Sequence, residues 1–253
     1  VTAIMNEPKL LQQTSHFLAV YKPHHYHSVP ALAHPTHKNI VDWACSQNLI
    51  SLPESSSSSS PQMKEGGLLN RLDFGTSGLL VFALNVEMYE KAREAWTNPD
   101  TIKLYTAISE SSDKSTQPVN SNFPITLNTP IGHHSTSKKR MLAQKSPTDR
   151  RTNRWLAAET RVTSIEPHHN DYRKIEVRIL TGVRHQIRVH LAGINLPIVG
   201  DPLYSQKYKE NYHSLVPEIR DQRLLLHCHT IKFLNEQFEC PHPPDFKILS
   251  AEA

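Results

Sequence analysis

The chain has 253 residues and a formal charge of +4, with 38% hydrophobic and 21% charged side chains. That length suits one large domain or two small ones, and the composition is too apolar for a disordered chain. No apolar run approaches the roughly 18 residues of a membrane-spanning helix, and the three cysteines (Cys45, Cys228, Cys240) have no C-x-x-C spacing, which argues against a disulfide framework or a Cys-rich zinc site.

Residues 16–22 (HFLAVYK) read as a short strand stopped by Pro23. Residues 40–49 place apolar side chains at loosely helical spacing behind a capping Asn39. A run of six serines, 55–60, marks a low-complexity insertion near 51–62. The run LLVFAL at 79–84 follows a glycine turn and suits a strand buried on both faces, and 86–96 has helical composition. Segments 103–108, 157–165 and 174–180 read as strands. Residues 185–191 (HQIRVHL) are short enough to be helix or strand; as a helix, Ile187 and Leu191 share one face and Arg184 and Arg188 another. Late strands are expected at 224–226 and 230–233. The class is mixed α+β, one domain over 1–253 built on a largely antiparallel sheet with flanking helices.

Charge and glycine are both concentrated. Residues 138–154 hold seven basic side chains and one acid, Asp149, so this segment carries +6 against −2 for the rest. A local basic stripe is the footprint of a polyanion partner, or else a solvated loop. Four of the eight glycines fall between 66 and 78 and three between 182 and 200, where backbone must turn tightly or approach something closely. In the first of these segments a single carboxylate, Asp73, lies among leucines beside a Gly-Thr-Ser-Gly turn. An acid in such a setting either caps the turn or is a catalytic carboxylate held at a strand edge.

The segment NRLDFGTSGLLVFALN (70–85) resembles the H-R-L-D-x-x-T-S-G-L motif of the RluA-type pseudouridine synthases. Four further segments match in the family's order: YKP at 21–23, KLYTA at 103–107, TGVRHQIRVHLAGINLPIVGDPLY at 181–204 and RLLLHCHTIKF at 223–233. The resemblance implies a pseudouridine-synthase fold and isomerisation of uridine to pseudouridine in structured RNA, ribosomal or transfer, with neither metal nor organic cofactor. It makes Asp73 the catalytic carboxylate, either attacking C1′ or abstracting a sugar proton. It makes Arg188 the partner that keeps that carboxylate ionised, Tyr105 the ring stacked on the target base and Leu226 an apolar wall. Arg71, the arginine of the same motif, and Arg184 are assigned to substrate binding. Without the resemblance, Arg188 reads as a surface arginine, and Tyr105 and Leu226 as ordinary core.

Three departures stand out. Asn70 replaces the family's usual His, and Val183-Arg184 replace Arg-Thr, which moves a positive charge by one residue. The YKP segment begins near residue 21, leaving no room for an N-terminal S4-type domain, so target selection falls to Lys138, Lys139, Arg140, Arg150, Arg151 and Arg154. Clusters such as His24, His25 and His27, or His133 and His134, lack Cys or a second cluster at ligand spacing, so no metal is expected. Asp201, in a Gly-Asp-Pro setting, reads as a structural turn. The partner expected is RNA, with no membrane, for a monomer in a reducing, intracellular setting, the cytoplasm before an organelle. The competing reading is an RNA-binding or ribosome-assembly factor of the same family with idle catalysis. Asp73, Tyr105 and Arg188 all being present favours the enzyme.

Overall fold

The computed structural model describes residues 6–31, 33, 35–52, 65–110, 123–137, 139–168, 172–205 and 223–246. In chain order these form β1 (Lys9–Gln13), β2 (Phe17–Lys22), α1 (Ile40–Ser46), β3 (Ser77–Ala83), α2 (Val86–Ala95), β4 (Ile102–Glu110), β5 (Ile125–Leu127) and β6 (Ile131–His133). There follow β7 (Met141–Ala143), β8 (Trp155–Leu156), β9 (Thr160–Pro167), β10 (Tyr172–Ile179), α3 (Gln186–Gly193), β11 (Leu226–Phe233) and β12 (Glu236–Glu239). Most of the serine-rich stretch and Lys138 lie outside the described residues. The class is α+β, as expected, and the chain divides into two compact units. The first joins Val1–Ile102 to His227–Pro244, the second Lys103–Leu226 to Asp245–Ala253.

In the first unit β1, β2 and β3 form an antiparallel meander, with β2 and β3 registered from Phe17 opposite Ala83 to Lys22 opposite Gly78. Every residue of β2 and β3 is buried, which is why their sequences are continuous apolar runs rather than alternations. β11 lies parallel to β3, pairing His227 with Ser77 and Cys228 with Gly78. Gly78 sits at φ +126, and a Cβ there would run into the Cys228 backbone, so glycine is what lets these two strands meet. β12 folds back on β11 through Leu234-Asn235, both at positive φ, the geometry of a two-residue hairpin turn. Phe17 meets Phe233 edge-to-face at 4.9 Å, and Trp96 meets Phe233 at 5.2 Å. Asn39 and Asn85 cap α1 and α2 by accepting from Asp42 N and Met88 N, each cap being worth about 1 kcal/mol.

The second unit is built on the antiparallel order β4-β10-β9-β5. Beside it β7, β6 and β8 make a small antiparallel sheet. Residues 186–191 resolve as helix: α3 presses Val189 onto Ile131, Met141 and Ala158, with Ala143, Val183 and Tyr204 packed around them. Ile187 and Leu191 are buried, and α3 starts from His185 in the left-handed region.

Candidate active site

The Asp73 segment is fixed from several sides within the first unit. Upstream, residues 67–70 run antiparallel beside β3: Leu69 N donates to Val81 O at 2.8 Å and Ala83 N to Gly67 O at 2.9 Å. Asn70 completes this edge, its side-chain amide donating to Leu79 O and its carbonyl accepting from Val81 N, both at 3.0 Å. The residue standing for the family's His therefore acts here as a backbone clamp. Leu72, next to the acid, is held by Ser28, whose hydroxyl accepts from Leu72 N at 2.9 Å and donates to Leu72 O at 3.0 Å. Downstream, Thr76 N closes a turn on Asp73 O at 3.0 Å. Lys22, fully buried at the end of β2, donates through Nζ to Pro23 O at 2.9 Å and Phe74 O at 3.4 Å. Asp73 is thus a half-buried carboxylate on a backbone pinned at Leu72, Phe74 and Thr76. Arg71 is exposed and pairs with Glu65.

Sequence reasoning did not find Lys22 or Ser28 as supports of this loop. The signal for Lys22 was present: a lysine in the apolar run FLAVYK must find acceptors if the strand is buried.

The remaining site candidates belong to the second unit. Tyr105 lies in β4 opposite Val177, 7% exposed. Leu226, at the start of β11, is buried. Arg188 is buried on α3 and forms a two-pronged ion pair with Asp201, Nε to Oδ2 at 2.7 Å and Nη2 to Oδ1 at 2.9 Å. The resemblance assigns Arg188 to Asp73; within the second unit these two nitrogens are taken by Asp201. The Gly-Asp-Pro turn is structural, as expected, since Asp201 Oδ1 also accepts from Leu203 N and Tyr204 N. It is in addition the anchor of the arginine, a role the sequence reading missed. Tyr204 completes the group. The Arg188 guanidinium lies 5.1 Å from its ring centre and that of Arg140 5.6 Å, while its hydroxyl accepts from Met141 N at 2.8 Å and meets His185 Nδ1 at 2.9 Å. Arg184, four residues before Arg188, is exposed.

The loop before α3 is held by Gln186, which accepts from Thr181 Oγ1 and Val183 N and donates to Glu159 O and Thr160 Oγ1. His190 is buried, bonded to Thr160 Oγ1 at 2.9 Å and Thr129 O at 2.8 Å. Burial lowers its pKa, because the imidazolium is desolvated; the bond to Thr129 O opposes this.

The basic segment, read from sequence as a loop, carries β7 and leads into β8. Its arginines divide by task. Arg151 donates to both oxygens of Asp149 and to Ala143 O at 2.8 Å, so it staples the segment to itself. The Asp149 carboxyl is held well below the usual range by the Arg151 side chain first, and then by the Lys145 backbone N–H. Lys139, Arg140, Lys145, Arg150 and Arg154 are exposed. Arg154 also borders an open cleft of about 470 Å³ with His133, His134, Thr152, Asn153 and Leu156.

Residues 16–193 match the family model described as RNA pseudouridylate synthase. The chain belongs to that family. Among its relatives, an uncharacterized RNA pseudouridine synthase of Helicobacter pylori is 33% identical over 188 residues, covering 73% of this chain and 66% of that protein. The ribosomal large subunit pseudouridine synthase D of Vibrio cholerae is 30% identical over 194 residues, covering 73% of this chain and 55% of that protein. The chain thus spans between about half and two thirds of the length of these curated relatives. The human RNA pseudouridylate synthase domain containing 1 protein shares the fold, with a TM-score of 0.65 at 20% identity over 99% of this chain and 89% of the other. Asp73, Tyr105 and Arg188 all fall within the residues that the family model matches; Leu226 falls after them.

Proposed function

We propose that the chain is an RNA pseudouridine synthase and that Asp73 is its catalytic carboxylate. The observation that carries this reading is a family match that includes Asp73, a half-buried acid on a backbone clamped at the residue before it and the residue after it. Isomerisation breaks the N1–C1′ bond of a uridine, turns the uracil and joins C5 to C1′; the C5 proton is lost and N1 gains one. Nothing is oxidised or reduced. A carboxylate near C1′ serves this as nucleophile or as base, and its precision depends on a rigid mount.

Arg188 is assigned to Asp73 as its charge partner, and its anchoring by Asp201 makes it a preset cation rather than a mobile one. Tyr105 offers a flat ring on which a uracil can turn while staying stacked. Leu226 is the apolar wall. Lys139, Arg140, Lys145, Arg150 and Arg154 supply phosphate contacts, with Arg71 and Arg184 nearer the reacting nucleotide. Arg151, spent on Asp149, shapes the segment. The whole 1–253 chain works as one catalytic domain, a monomer in a soluble intracellular compartment, on ribosomal or transfer RNA.

Mapping pseudouridine across cellular RNA with and without the protein tests this. Loss of one or a few sites on deletion, restored by the parent chain and not by Asp73→Asn, is the expected outcome. Unchanged sites together with a ribosome-assembly defect would instead mark an RNA-binding factor with idle catalysis.

A further inference from the structure

An exposed cluster of rings lies beside Asp73 and has no part in the chemistry above. Phe74, the next residue in the chain, is 38% exposed, a high value for a phenylalanine. Three imidazoles gather on it. His25 is stacked on its ring at 5.3 Å and 24°, His37 at 5.7 Å and 26°, and His27 is tilted against it at 4.7 Å. His27 and His37 stack on each other at 5.5 Å and 18°, their Nε2 and Nδ1 atoms 3.3 Å apart. His24 packs edge-on against His25 at 4.7 Å.

The cluster is tied to the Asp73 loop by backbone as well as by rings. His25 N donates to Phe74 O at 2.8 Å, and the buried Lys22 ammonium reaches the same carbonyl. His25 holds φ +61, a region that favours glycine, so the chain keeps a large ring where a hydrogen atom would fit with less strain. A hydrophobic ring left at the surface, surrounded by flat heteroaromatic rings and fixed to a catalytic loop, is built for a flat ligand. Nucleobases stack on Phe and His faces regardless of sequence, and imidazole N–H groups bond phosphate and base edges. The alternative use of three histidines, a metal site, is disfavoured by geometry. Among the described residues, no three ligand atoms of this cluster converge to within bonding range of one ion.

We propose that Phe74 with His25, His27 and His37 forms a stacking platform for an unpaired base of the RNA substrate, the base of the nucleotide adjoining the target uridine. The reading rests on the function proposed above, because its occupant is placed by the uridine at Asp73. Phe74 directly follows Asp73, their Cα atoms about 3.8 Å apart, so the platform sits within reach of a nucleotide adjoining the one Asp73 serves. The platform holds the strand in its flipped, single-stranded form while the target base is out of its stack.

The probe is a set of single-stranded RNA decamers with one uridine and 2-aminopurine, whose fluorescence falls on stacking, at either side of it or four nucleotides away. The parent protein should quench the adjoining probe on one side and leave the distant probe bright. Phe74→Leu keeps apolar bulk and removes the π face. It should restore the fluorescence and weaken binding about 5- to 150-fold, in line with the loss of one base–aromatic stack. Phe74→Tyr should keep both quenching and affinity. Should Phe74→Leu fail to fold, His37→Ala, on an exposed loop residue, decides instead: partial recovery of fluorescence is expected. Equal quenching of adjoining and distant probes, no quenching by the parent, or quenching unchanged in Phe74→Leu and His37→Ala, overturns the proposal. So does binding that a metal chelator abolishes. Because these readouts need no turnover, a protein that stacks the probe but forms no pseudouridine would refute the enzymatic reading while leaving the platform standing.

Discussion

Removing Asp201 should unfold the second unit more readily than any other single truncation near Arg188. Its carboxylate is fully buried, the Arg188 side chain is 7% exposed, and four donors converge on it: Arg188 Nε and Nη2, Leu203 N and Tyr204 N. Asp201→Ala removes the acceptor of two guanidinium nitrogens and two backbone N–H groups at once. Breaking a buried pair from one side costs about 3–5 kcal/mol. At about 2 kcal/mol per molar urea, that moves the unfolding midpoint down by about 2 M. Asp201→Asn keeps an oxygen for the two backbone donors and loses the charge and the second acceptor for Arg188, so it should fall between the two proteins. The double change Arg188→Met with Asp201→Leu removes both charges of the buried pair, and it should be more stable than Asp201→Ala alone. Urea titrations followed by tryptophan fluorescence read this series. An Asp201→Ala protein whose midpoint lies within a few tenths molar of the parent would show that the pair is solvated, and would remove the argument that Arg188 is a preset cation.

The basic segment should show its division of labour in salt titrations of RNA binding. Arg150→Ala with Arg154→Ala should flatten the slope of log K against log salt by about 1.4 to 1.8, if each touches one phosphate, whereas Arg151→Ala should change the slope little and loosen the segment. A larger slope change from Arg151 than from the other two would reverse the assignment. His190 binds a proton less readily folded than unfolded, so the unfolded chain takes up protons first as pH falls. Its contribution to stability is therefore full above about pH 6.5 and is lost below that, at up to about 1.4 kcal/mol per pH unit. His190→Gln, which can bond Thr160 and Thr129 without titrating, should flatten the difference between melts at pH 7.5 and pH 5; an identical difference in both proteins would show that His190 contributes nothing to it.

The sequence reading succeeded where signals were long or redundant. The apolar run of β3, the asparagine cap of α1 and the motif around Asp73 each have several residues agreeing on one answer. Residues 185–191 were ambiguous because a short helix and a short strand bury similar apolar patterns; the packing of Val189 on Ile131 and Met141 decides for helix. The sheet of β6, β7 and β8 escaped because its strands are two or three residues long, below the length at which alternation can be recognised, and because flanking charges mask Met141 and Trp155. Charge counting treated Arg150, Arg151 and Arg154 alike, although an acid two residues away makes Arg151 a local staple. The Arg188–Asp201 pair and the rings around Phe74 join residues 13 and up to about 50 positions apart, and neither separation leaves a mark on local pattern.

The central claim, that Asp73 performs the isomerisation, is tested most directly by single-turnover formation of pseudouridine. RNA from cells lacking the protein is the substrate, and digested nucleosides are counted by mass spectrometry. The parent should convert a fixed small number of uridines, and Asp73→Asn should bind the same RNA with similar affinity and convert none. An Asp73→Asn protein that keeps more than a few per cent of the parent rate, or a parent that forms no pseudouridine in any cellular RNA, would contradict the account.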